Sequence, residues 1–147
     1  MSVSYGHTVT ERGKLHWGRV VAGAVLLELL LFLVLVPIGL TFGMPGAPNA
    51  KDLRIFFIAV PLGCFAGGAA IAAWILRRVE SRRSLHGALL GVAATLLYFA
   101  ICALQPGGIS AAIAGYGPLL FWTSQLLRIS GCVLGARPRR FQPGTSR

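Results

Sequence analysis

Acidic residues are scarce in this chain: four Asp and Glu stand against fourteen Lys and Arg in 147 residues. Glu11, Glu28, Asp52 and Glu80 form no close pair in sequence, so no two-carboxylate motif of general acid–base chemistry is read. Charge of either sign is low, at 12% of residues, about half of what a soluble domain carries. Cysteine is equally sparse. Cys64, Cys102 and Cys132 fall inside apolar stretches, with no CxxC and no Cys/His metal spacing. They read as small buried apolar residues, so the sequence encodes neither a disulfide framework nor a metal site. There is also no Ser/His/Asp or Cys/His constellation and no glycine-rich phosphate loop. No catalytic, cofactor-binding or metal-binding residue is therefore assigned, and the chain is not expected to be an enzyme. His86 opens the third apolar run and reads as an interfacial polar residue. A membrane enzyme acting on a lipid is one alternative, for which only arginines and His86 stand near the interface.

What the chain does have is hydrocarbon: 55% of its residues are hydrophobic. Val20–Gly43 is an apolar run with one carboxylate, Glu28, inside it. At about 1.5 Å per residue such a run crosses a bilayer core of roughly 30 Å. It is longer than the h-region of a cleaved signal, and Ala47-Pro-Asn-Ala50 is a poor cleavage site, so it is expected to stay as a span. Trp17 and Arg19 mark its interfacial start, and Pro37 lies near its far end. The breaker cluster Gly43–Asn49 reads as a loop.

Three further apolar runs follow. The predicted spans are 17–41, 53–76, 85–104 and 118–136. Gln105-Pro-Gly-Gly108 ends the third, and Gly115-Tyr-Gly-Pro118 divides the last run. Residues 109–115 then form a short external segment, either helical or re-entrant. Polar tails, 1–16 and 137–147, flank a single membrane domain, 17–136. The expected fold is an all-α membrane protein, a four-transmembrane-helix bundle.

The net charge of +10 is topological on this reading. Lys and Arg number three at the N-terminal end, four between spans two and three, and four in the C-terminal tail. The loop after span one has two, and the loop after span three has none. Eleven against two places both termini in the cytoplasm. The partners expected are the lipid bilayer and, at the basic segments, anionic headgroups, with no nucleic acid. An Arg-rich, Lys-poor, Ala/Gly-rich composition suits a bacterial inner membrane.

Small residues four apart recur on three spans: Gly63 and Gly67, Gly87 and Gly91, Gly131 and Gly135. They let neighbouring backbones approach closely, either inside one bundle or in a homo-oligomer or larger complex.

Two charges lie well inside the spans. Glu28 is nine residues past Arg19, and Arg128 is nine before Arg137, so both sit roughly 13 Å from the same interface. A lone charge there costs at least about 2.5–3.5 kcal/mol, and such residues usually face a partner. Glu28 and Arg128 are expected to pair across spans one and four. Ser124 and Gln125 share the face of Arg128, and Thr95 and Tyr98 sit at comparable depth, completing a polar cluster. The alternatives are snorkelling or a neutral Glu28, and a proton- or substrate-coupling role. Four spans, small size and one acidic residue in the first span resemble small multidrug resistance transporters, in architecture only. That resemblance implies proton-coupled transport through Glu28. Arg128 departs from the pattern, because a neutralising arginine opposes proton coupling.

Overall fold

Long apolar runs punctuated by glycine and proline fold here as helices. The computed structural model describes residues 15–43, 53–79 and 82–137. Most of the N-terminal tail, the loop 44–52 and all but the first residue of the basic C-terminal tail lie outside the described residues.

The first helix, α1, spans Trp17–Phe42 and contains Pro37. Thr41 Oγ1 donates to the Pro37 carbonyl at 2.8 Å, and Gly43, with φ +87°, ends the helix by bonding back to Gly39. The second, α2, spans Leu53–Ile75 and runs into a 3-10 turn, Leu76–Arg78. Arg83 then closes the basic turn, its Nη2 donating to the Leu76 carbonyl at 2.8 Å. The third, α3, spans Arg83–Ala103. The segment before the last run is helical rather than re-entrant: α4, Gly108–Tyr116. Gly117, with φ +78°, separates it from α5, Pro118–Gly135, which carries proline in its first turn as a helix start prefers. The described residues are helical, with no strand.

Around the bundle the long helices run in the order α1, α2, α5, α3, each packed on its two neighbours. Consequently α1 and α5 stand on opposite corners. The closest approach is α2 to α5. A Cβ at Gly131 or Gly135 would overlap the carbonyl of Phe65 or Ala69, and one at Gly68 would lie 2.9 Å from the Arg128 carbonyl. On the other side of α5, Gly87 and Gly91 meet the backbone of Cys132 and Ile129, where a Cβ would sit at 2.5 and 2.7 Å. Gly63 and Gly67 turn elsewhere, towards Leu31 and Leu27 of α1, at the looser distances of 3.7 and 3.3 Å. The α4 helix is fastened by Tyr116, whose ring lies 5.7 Å from that of Phe56 on α2.

The interior is filled by Leu27, Leu31, Phe56, Leu76 and Leu90, while Val21, Leu29, Leu33, Leu62, Leu96, Leu119 and Leu126 face outward. An apolar exterior of this extent is an aggregation hazard in water and is natural in lipid. Three helical stretches, Trp17–Phe42, Ile55–Arg78 and Arg83–Ala103, are long and apolar enough to cross a membrane. That points to a multi-pass membrane protein.

Candidate functional site

Arg128 leaves α5 on the same face as Ser124 and Gln125, because residues three and four apart share a helix face. All three are buried. The guanidinium reaches the middle of the bundle, where Nη1 lies 2.8 Å from Oε1 of Glu28. Both side chains are almost fully enclosed, at 3% and 5% exposure. Because α1 and α5 are diagonal neighbours, only two long side chains extended towards each other span the gap.

Arg128 does more than meet Glu28. Nη1 also donates to the Ala94 carbonyl of α3 at 3.4 Å, and Nη2 approaches Cys64 Sγ of α2 at 3.8 Å. Its Cζ lies 4.9 Å from the centroid of the Tyr98 ring, a cation–π contact with α3. One side chain from α5 thus touches the three other long helices. The contact with Glu28 is coulombic rather than a linear hydrogen bond, since among the described residues Oε1 accepts no well-aligned N–H and Arg128 Nε has no partner.

The polar residues expected around the pair divide into those that reach it and those that do not. Tyr98 does, through its ring face. Ser124 satisfies itself, donating to the Leu120 carbonyl of its own helix at 2.8 Å. Gln125 is 6% exposed, and among the described residues neither its Oε1 nor Thr95 Oγ1 has a partner. Cys64 and the Ala94 carbonyl were not legible as participants. A thiol is only a weak acceptor, and a mid-helix carbonyl carries no sequence signal at all.

Three cavities meet at Tyr98 and Tyr116, which line all of them, and one of the three reaches the pair at Glu28. One of about 280 Å³ lies beside α4, bounded by Gln105, Cys102 and Gly115. One of about 100 Å³ touches Glu28 and Phe32. One of about 40 Å³, room for a single water, holds Gln125, Ser124 and Cys64. Burial pushes the Tyr116 phenol above its usual value, so it stays a neutral hydroxyl between them.

His86 stands in the first turn of α3 and is enclosed by the bundle there. It is 1% exposed, its Nε2 accepts the His16 backbone N–H at 3.2 Å, and its Nδ1 lies 3.0 Å from the Arg82 carbonyl. A donor at Nδ1 and an acceptor at Nε2 define one neutral tautomer. The ring ties the start of α1 to the start of α3. Among the described residues no group of His, Cys, Asp and Glu is placed to hold a metal ion.

Comparison with known protein families, with curated proteins and with solved structures finds no match to this chain.

Proposed function

We propose that this chain is a non-enzymatic, structural or accessory membrane protein. It crosses the bilayer four times with both termini in the cytoplasm. The observation that carries the reading is the Arg128 guanidinium. Its ion pair with Glu28, hydrogen bond to Ala94 and contacts with Cys64 and Tyr98 brace α5 against the other three long helices. A residue so engaged is committed to holding the bundle together. The fourth crossing is α5, whose 18 residues rise roughly 27 Å. Its polar residues Ser124, Gln125 and Arg128 are buried, whereas Leu119, Trp122, Leu126 and Leu134 form the outer face. The bacterial inner membrane is the proposed location. Lipid, and a second copy or a larger membrane complex seated on the bundle, are the proposed partners; nucleic acid is not among them, because the charge is read as topological.

The test is charge exchange. Glu28→Arg and Arg128→Glu are made singly and together, and unfolding is followed by titration with SDS in mixed micelles. Each single change is expected to destabilise strongly and the exchange to restore part of the loss. Harmless single changes with no coupling would sink the brace.

The cavity of about 100 Å³ beside Glu28 favours a second reading, a small proton-coupled transporter. Purified protein in vesicles with an imposed pH gradient distinguishes the two. Solute movement abolished by Glu28→Gln, with unfolding unchanged, supports transport; no solute movement, together with a loss of stability in the same variant, supports the brace.

A further inference from the structure

At the end of the bundle where α1 starts and α2 finishes, a groove of about 390 Å³ opens between the two helices. Three arginines line it: Arg19 from the first turn of α1, and Arg77 and Arg78 from the 3-10 turn after α2. Arg19 is half-buried, and its enclosed Nη1 has no hydrogen-bond partner among the described residues, while Arg77 and Arg78 are exposed. The neighbouring Arg83 is already engaged on the Leu76 carbonyl and is not in the groove. The bare backbone of Gly18 is part of the wall, and α1 begins without a side-chain cap. First-turn N–H groups and the positive end of the helix dipole therefore add to the arginines.

The groove does not stay polar. Trp74 stands beside it, and Ala22 and Leu26 continue its wall along α1. Arg19, Ala22 and Leu26 are spaced three and four apart, so they form one ridge running about 10 Å down the helix from the cations. A cationic mouth with an indole at headgroup level and an apolar gutter below matches one class of molecule in shape and in charge.

We propose that this groove is a binding site for one anionic phospholipid. Its phosphate lies among Arg19, Arg77 and Arg78, and an acyl chain follows Ala22 and Leu26. The proposal rests on the membrane reading and makes its headgroup partner specific. Free phosphate shares the headgroup chemistry but does not use the gutter.

The full chain, extracted and stripped of lipid, is mixed with phosphatidylglycerol, with phosphatidylcholine or with inorganic phosphate, and bound species are read by native mass spectrometry. Wild type is expected to retain phosphatidylglycerol over phosphatidylcholine. Each Arg→Gln change at 19, 77 or 78 is expected to weaken retention about fivefold. Arg137→Gln, outside the groove, is expected to leave it unchanged. Ala22→Trp keeps every charge and fills the gutter, and is expected to abolish retention. Equal retention by all variants, or full competition by inorganic phosphate, overturns the lipid site. Carbonate extraction of native membranes is run in parallel. A protein released by carbonate fails the membrane reading itself, whereas a protein that stays in the membrane without lipid selectivity fails only the groove.

Discussion

Glu28 and Arg128 lie 2.8 Å apart at the centre of the bundle, although α1 and α5, which carry them, do not pack on each other. A pair between adjacent helices would add to a contact already present. A pair across the diagonal is the contact, and every helix between must leave room for it. The space comes from Cys64 and Ala94, small residues that let the guanidinium pass.

Removing one partner of this pair is therefore costlier than removing both. Arg128→Met is expected to lose about 3–5 kcal/mol, because Glu28 is then buried without its counter-charge. The double change Glu28→Leu with Arg128→Met is expected to recover most of that loss, since two apolar side chains of similar volume suit the interior. SDS unfolding of the four variants, read as a double-mutant cycle, checks this. A double variant as weak as Arg128→Met alone would show that the arginine acts through its other contacts.

The glycines separate into two classes with opposite expected behaviour. At Gly131 a Cβ falls on the Phe65 carbonyl, which belongs to rigid backbone, so Gly131→Ala forces α2 and α5 apart. A loss of about 1–3 kcal/mol or more is expected. At Gly63 the nearest atom to a new Cβ is Leu31 Cδ2 at 3.7 Å, an ordinary contact. Gly63→Ala is expected to be neutral or to gain up to about 1 kcal/mol from helix propensity. Equal damage at both positions, measured by the same SDS unfolding, contradicts the close packing of α5 on α2.

Much of this architecture is legible in the chain. The helix limits follow from apolar runs broken by Gly43, by Pro106 with Gly107, and by Gly117 with Pro118. Depth counting brings Glu28 and Arg128 to one level, because two residues at equal rise from one interface must lie in the same plane. Facing is harder to read. Gly67 and Gly68 are adjacent, and a rotation of about 100° per residue sends the first to α1 and the second to α5. Four-residue spacing marks a smooth face without saying which helix lies on it. Ser124 illustrates a second limit, for a hydroxyl on the right face took its own helix carbonyl instead of the ion pair.

The His86 ring joins two helix starts that share no other polar link among the described residues. His86→Ala is expected to free the first turn of α1 at a cost of about 1–3 kcal/mol, the range for a buried hydrogen-bonding group left unmade. Hydrogen exchange at His16, Arg19 and Val20 should accelerate while exchange in the middle of α1 does not change. A uniform effect along α1 would mean that the ring supports the core and not the helix start.

The three native cysteines report on the cavities without any added probe. Cys102 borders the large cavity beside α4, Cys64 the smallest one behind Tyr98 and Tyr116, and Cys132 the tight contact with Gly68 and Gly87. A small methanethiosulfonate is expected to modify Cys102 first, Cys64 about tenfold more slowly, and Cys132 only on unfolding, since thiol chemistry follows access. Tyr116 stands at every boundary along this route, so Tyr116→Ala should raise the Cys64 rate about tenfold and leave Cys132 protected. Peptide mapping of the labelled sites reads all three at once. In intact cells a membrane-impermeant reagent that reaches Cys102 from outside also sets α4 on the external face, as the charge count requires. Modification of Cys132 ahead of Cys102 would contradict the packing of α5 against α2 and α3.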